Sequence, residues 1–127
     1  MAVAVTNETL VLNIENPITQ SAATETSVDV VEVFTFTPAV KDNDYLLVIY
    51  NVSGTDGTVT YSIAAGDAWA ADAALTGSVT QGVQSGIVLE GGKYLSEDGT
   101  IVVTITPAAG KILLTDHALT AVGVQMP

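Results

Sequence analysis

Apolar and polar residues alternate along several short segments of this 127-residue chain. In Thr9–Ile14, Thr58–Ala64 and Thr100–Thr106, aliphatic or aromatic residues recur at every second position, mostly with Thr, Ser or Asn between them. Because side chains point to opposite faces along a β-strand, this spacing predicts strands with one buried face and one wet face. A chain built from such segments folds into sheets that bury their apolar faces against each other.

Further segments of apolar character complete the predicted strands: Val28–Phe36, Asp44–Val52, Val79–Val83, Gly86–Glu90 and Leu119–Met126. Turn residues separate them, and Gly57 and Gly99 stand where positive φ is expected. Ala65–Ser78 has no strand pattern and is interpreted as irregular, with at most one helical turn. The sequence therefore predicts an all-β fold, an antiparallel β-sandwich or jelly-roll-like barrel of seven to nine short strands with little or no helix.

For two of the predicted strands, the sequence also indicates which faces are buried. Six consecutive apolar residues, Tyr45–Tyr50, indicate a central strand covered on both faces. In Val28–Phe36, Glu32 lies at a position where strict alternation would place an apolar residue, on the same face as the apolar side chains. Either Glu32 lies at an exposed end of that face, or a bulge near Val30-Val31 shifts the register.

Length and charge limit the domain organisation and the partners. One domain is expected over residues 9–127, preceded by residues 1–8 as an N-terminal arm or edge strand. Fourteen acidic residues against three basic ones give a net charge of −11, which disfavours binding to nucleic acid or to anionic membranes. The N-terminus lacks the features of a secretory signal, and no apolar run is long enough to span a bilayer. Only 13% of residues are charged, so the surface suits contact with other protein.

Residues able to perform chemistry are few. His117 is the only histidine, it follows Asp116, and there is no cysteine. Neighbouring strand residues face opposite ways, so His117 is interpreted as a surface or turn residue. The Asp42-Asn43-Asp44 sequence resembles the start of a calcium loop but lacks the glycine and distal glutamate that would follow. Other carboxylates form no recognisable pair: Asp67, Asp72, Glu90, Glu97 and Asp98. We therefore predict no catalytic residue, cofactor or metal, and no enzymatic activity.

Two features are candidates for protein contact. The uncharged start of the chain could become ordered on docking; its residues are Met1, Ala2, Val3, Ala4 and Val5. Trp69, the only tryptophan, either packs its loop onto the core or is an exposed anchor at an interface.

The chain from residue 44 onward resembles the capsid decoration (head-stabilising) proteins of tailed bacteriophages. The resemblance rests on the order of four segments and covers about two-thirds of the chain: residues 44–51 (DYLLVIYN), 57–66 (GTVTYSIAAG), 86–104 (GIVLEGGKYLSEDGTIVVT) and 120–126. Residues 1–40 take no part in the resemblance. The resemblance implies a non-enzymatic structural protein on the exterior of the virion, made in the host cytoplasm. It further implies that the protein binds the major capsid protein of an assembled head, as a homo-oligomer and most often a trimer, without a cofactor.

Three alternatives remain on the sequence alone. A carbohydrate-binding or adhesion module would need exposed aromatic residues in a groove. A pilin-like or surface-layer subunit would pair its edge strands between copies. The third alternative is an enzyme, which loss of an activity on substitution of His117 would support.

Overall fold

The structure, a computed structural model, describes residues 2–5, 7–9, 20–38, 45–52, 57–66, 74–90 and 93–125. Ten β-strands and no helix lie in these ranges. In chain order the strands are β1 (Ala2–Ala4), β2 (Asn7–Thr9), β3 (Ser21–Ala22), β4 (Glu32–Phe36), β5 (Tyr45–Tyr50), β6 (Val59–Ile63), β7 (Leu75–Val79), β8 (Gln84–Leu89), β9 (Ile101–Thr106) and β10 (Thr120–Gln125). The predicted all-β fold is confirmed.

The strands form two sheets that bury one common core. The first sheet has the order β1-β4-β9-β6-β7 and the second β2-β10-β5-β8, with β3 also pairing with β10. Pairing is antiparallel throughout, except that β1 runs parallel to β4 and β2 parallel to β10. Fully buried side chains from both sheets meet between them, among them Phe34, Phe36, Leu47, Ile49, Ile63, Val103 and Ile105. Two sheets packed face to face around such a core make a β-sandwich.

Strand β5 occupies the centre of the second sheet, as its apolar run predicts. It pairs with β10 on one side and β8 on the other. Tyr45, Leu47 and Ile49 are buried against the first sheet, whereas Leu46 and Val48 on the outer face are only half-buried. The prediction of cover on both faces is therefore right for the inner face and only partly right for the outer one.

Glu32 of strand β4 has neither of the two arrangements expected from the sequence, an exposed strand end or a bulge. The strand begins at Glu32, pairs with β9 without a bulge, and buries Glu32 completely beside Phe34 and Phe36. The carboxylate accepts hydrogen bonds from the backbone N–H groups of Thr24 at 2.8 Å and Glu25 at 3.3 Å, and from the Thr24 hydroxyl. A buried carboxylate needs such donors to replace water, and here they come from the segment that precedes the strand.

The region around β7 also departs from the sequence interpretation. Strand β7 begins at Leu75, inside the segment predicted to be irregular, and ends at Val79. The other residues of the predicted strand Val79–Val83 form the turn into β8. Gly77 lies opposite Tyr61 of β6, and a Cβ at Gly77 would collide with the Tyr61 ring. The aromatic ring thus covers the glycine of an edge strand, a cross-strand contact that local alternation does not reveal.

Turn glycines behave as predicted. Gly57 has a φ of 95° and Gly99 a φ of 81°. These values fall in the region where glycine avoids the steric penalty of a Cβ.

Candidate contact surface

Four loops gather at one end of the sandwich. The start of β4 pairs with the end of β9, and the end of β5 pairs with the starts of β10 and β8. This register brings together the β3–β4, β5–β6, β7–β8 and β9–β10 connections, described over residues 23–31, 51–52 with 57–58, 80–83 and 107–119.

A buried polar network joins these loops. Asn51 directly follows β5, and its Nδ2 donates to the backbone oxygens of Gly57 at 2.9 Å and Val79 at 3.1 Å. Its Oδ1 lies 3.2 Å from Nδ1 of His117, while Nε2 of His117 accepts a hydrogen bond from the Ala108 N–H at 3.1 Å. Asn51 and His117 are both fully buried. The network therefore links the β5–β6 and β9–β10 loops to each other and to the end of β7.

His117 has a structural role in this arrangement. Its Nε2 accepts from a backbone N–H, so the neutral ring carries its proton on Nδ1 and donates to Asn51. Asp116 instead accepts from the Ile112 N–H at 2.8 Å, within its own turn. The turn interpretation of His117 is confirmed, but a surface position is wrong, because both ring nitrogens are used inside the fold. Asp116 and His117 bind different groups and form no catalytic pair.

Carboxylates fix the backbone of the same loops. Glu25 accepts from the N–H groups of Thr26 at 3.1 Å and Ser27 at 3.0 Å. Asp29 accepts from the Gly110 N–H at 2.5 Å, and its own N–H donates to the Lys111 oxygen at 3.0 Å. Each bond satisfies a loop N–H that no sheet partner reaches. The β3–β4 and β9–β10 loops are thereby held in one defined shape.

Exposed valines concentrate on these loops. Among the described residues, six large hydrophobic side chains are exposed, and five of them lie at this end: Val28, Val30, Val31, Val52 and Val83. Their exposed fractions run from 39% to 52%. We call these five residues the valine end. Five apolar side chains on loops of fixed shape are a candidate surface for contact with another protein.

Of the six contact residues predicted from sequence, four lie among the described residues. Ala2, Val3 and Ala4 form β1, with Ala4 exposed, and Val5 is buried in the core. Met1 and Trp69 lie outside the described residues. The sequence interpretation missed the valine end; the available signal was valine placed beside turn residues, as in Val83 after Gln81-Gly82.

Of the carboxylates considered as catalytic candidates, Glu90, Glu97 and Asp98 lie among the described residues. Asp98 accepts hydrogen bonds from the hydroxyls of Ser96 and Thr100 and from the Thr100 N–H, and these donors hold the pKa of Asp98 below its usual range. Asp67, Asp72 and the Asp42–Asp44 segment lie outside the described residues. In the part of the chain that is described, no three His, Asp or Glu side chains are placed to hold a metal ion.

Aromatic residues form no exposed platform within the described ranges. Phe34, Phe36 and Tyr45 are buried, and the rings of Phe36 and Tyr45 meet edge to face at 6.5 Å. Tyr61 and Tyr94 pack partly buried against the core, and Tyr50 is half-buried. Over the same ranges, no helix has the length and apolarity to cross a bilayer. Comparison of the chain with protein-family models, curated proteins and solved structures gives no significant match.

Proposed function

We propose that this protein is a structural, non-enzymatic protein that binds the outer surface of an assembled phage capsid and stabilises it. The observation that carries the proposal is the valine end, where five of the six large exposed hydrophobic side chains of the described residues lie on neighbouring loops. The sequence resemblance to capsid decoration proteins supplies the partner, the major capsid protein.

The loops at the valine end are suited to docking because their shape is set before contact. The buried Asn51–His117 network holds the loop backbone from inside, and the carboxylates of Glu25 and Asp29 hold it at the surface. Binding through such loops loses less conformational entropy than binding through loops that must first become ordered. Valine adds apolar area with little side-chain entropy to lose.

Stabilisation of the shell follows from linkage. A protein that binds the assembled head and not its separated subunits shifts the equilibrium toward assembly. At a free concentration one hundred times the dissociation constant, each site contributes about 2.7 kcal/mol. Many such sites over one shell raise its resistance to heat and to internal pressure.

Co-sedimentation with DNA-free heads of the phage that carries the gene tests the proposal. We expect the protein to pellet with assembled heads, to remain in solution with unassembled capsid protein, and to raise the temperature at which heads disrupt. Replacing Val28 and Val31 together by Asp should reduce head binding at least tenfold. The matched control is Ala64→Asp, because Ala64 is exposed and follows the end of β6 that is opposite to the valine end.

Two results would contradict the proposal. Equal head binding by the Val28→Asp, Val31→Asp variant and the control would remove the valine end from the interface. Absence of head binding, together with micromolar binding on a glycan array, would favour a carbohydrate-binding or adhesion module instead.

A further inference from the structure

The free edge of the second sheet lacks the usual protection of an edge strand. Within the described residues β8 pairs only with β5, in a continuous register from Gln84 opposite Tyr50 to Leu89 opposite Tyr45. Edge strands of soluble proteins are usually short, bulged, or marked by Lys or Pro. Strand β8 has six residues, no bulge, and neither Lys nor Pro.

Alternation of hydrogen bonding shows which residues face the open edge. The N–H of Asn51 donates to the Val83 oxygen at 3.1 Å, which marks the pair 51 and 83 as hydrogen-bonded. Hydrogen-bonded and non-bonded pairs alternate along an antiparallel ladder. Gln84, Gly86 and Val88 therefore direct their N–H and C=O groups away from β5. All three residues are exposed, and Val88, at 68%, is the most exposed large hydrophobic residue described.

Strands β7 and β8 and the turn between them carry no charged residue. Leu75–Leu89, which contains both edge strands β7 and β8 and the turn between them, has no charged residue, although the chain carries fourteen acidic and three basic residues. Two copies with a net charge of −11 each repel one another over most of their surfaces. The uncharged segment Leu75–Leu89 offers a second copy a contact that adds no like-charge repulsion of its own.

We propose that β8 pairs antiparallel with β8 of a second copy, so that the second sheets of two molecules join into one continuous sheet. The three outward-facing residues are self-complementary about a two-fold axis. Gly86 faces Gly86 of the other copy, and Val88 faces Gln84, so each outward N–H meets an outward C=O. Gly86 has no side chain, which leaves the axis open for close approach.

The antiparallel arrangement also separates the nearest carboxylates. Glu90 directly follows β8, and in this register it lies opposite residue 82 of the other copy. The two Glu90 residues are then eight positions apart along the seam, roughly 27 Å. This distance exceeds the screening length of about 8 Å at physiological ionic strength, so their repulsion is small.

The stoichiometry follows from the symmetry. A strand that pairs with its own copy closes after two molecules and leaves no further edge of the same kind. The dimer thus differs from the trimer that the family resemblance implies, and it does not depend on capsid binding.

Mass in solution and amide exchange test the dimer together. Sedimentation equilibrium should give a species near 26 kDa, twice the 13.0 kDa chain, whose population increases with protein and with salt concentration. Exchange of the Gly86 and Val88 amides should slow as the dimer fills. The Ser85 and Ile87 amides, which bond to β5, should exchange slowly at every concentration.

Substitution at one position separates backbone pairing from side-chain contact. Val88→Pro removes an outward N–H that β5 does not use, and should raise the dimer dissociation constant at least tenfold. Val88→Ser keeps that N–H and should change the constant by less than Val88→Pro does. Circular dichroism checks that both variants remain folded, and Val28→Asp should leave the mass unchanged.

These measurements decide whether β8 pairs with β8 of a second copy. A dimer that persists unchanged in Val88→Pro, a trimer, or a monomer up to millimolar concentration would each overturn it. Loss of head binding in the valine-end variants would not affect this proposal, because those variants should still dimerise.

Discussion

Replacing Asn51 by Ala should destabilise the protein by more than the small number of atoms removed suggests. The Asn51 side chain makes hydrogen bonds to the backbone oxygens of Gly57 and Val79 and to the ring of His117. Truncation leaves all three groups without that partner. The Gly57 oxygen is half-exposed and can recruit water, whereas the Val79 and His117 groups are buried.

The magnitude follows from the two buried groups. Leaving a buried polar group without a partner costs about 1–3 kcal/mol. Taking about 1–2 kcal/mol for each, we expect Asn51→Ala to lower the free energy of unfolding by about 2–4 kcal/mol. For a domain of this length, that corresponds to a fall of roughly 8–16 °C in the melting temperature.

Urea and thermal unfolding followed by circular dichroism measure the effect. The matched control is Val52→Ala, the next residue, which is exposed and should change the free energy by less than about 0.5 kcal/mol. The reasoning is refuted if Asn51→Ala is as mild as that control while the urea m-value stays unchanged. Such a result would mean that the Asn51 bonds add nothing to stability.

Three further predictions test the fold. Ile49→Ala should cost about 3–4 kcal/mol because Ile49 is fully buried, and Val48→Ala less than about 1.5 kcal/mol because Val48 is half-buried; equal costs in urea unfolding would contradict the assigned faces. Gly57→Val and Gly99→Val should each cost about 1–2 kcal/mol, since a β-branched side chain is strained at their positive φ; an unchanged melting temperature would argue against those turns. The pKa of Asp98 is lowered in the folded state, so its contribution is present at neutral pH and lost as pH falls through that lowered pKa. Asp98→Asn should therefore flatten the decline in stability as the pH falls through that lowered pKa, and an unaltered pH profile would exclude this contribution.

Local patterns in the sequence predict most of the sheet framework. The alternation in Thr58–Ala64 and Thr100–Thr106 corresponds to β6 and β9, and the predicted strand Asp44–Val52 contains β5, which spans its apolar run Tyr45–Tyr50. These segments bury one face more than the other, so apolar residues recur at every second position of their sequences. Strand β7 lacks that signature, because its Gly77 is covered by Tyr61 from the neighbouring strand.

Residues at the loop end could not be placed from sequence, because their environments come from distant parts of the chain. Glu32 is buried since Thr24 and Glu25 supply its donors, and His117 is buried since Asn51, 66 residues away, meets its ring. Composition alone gives a carboxylate or an imidazole a surface position as the default. Only tertiary pairing reveals that both are internal supports of the loops that carry the exposed valines.

A substitution tests whether the N-terminal segment contacts a capsid better than a deletion does. Val5 donates its N–H to the Thr35 oxygen at 2.9 Å and is buried in the core, between a strand of the first sheet and a strand of the second. Removing residues 1–8 would therefore expose core and lower stability, whether or not these residues touch a capsid.

Ala4 is exposed on the edge strand β1, so Ala4→Asp should change the free energy of unfolding by less than about 0.5 kcal/mol. If the segment contacts the capsid, this variant should bind heads more weakly at unchanged stability, because a carboxylate would have to be desolvated at the interface. Unchanged head affinity would show that the N-terminal strands serve the sandwich alone.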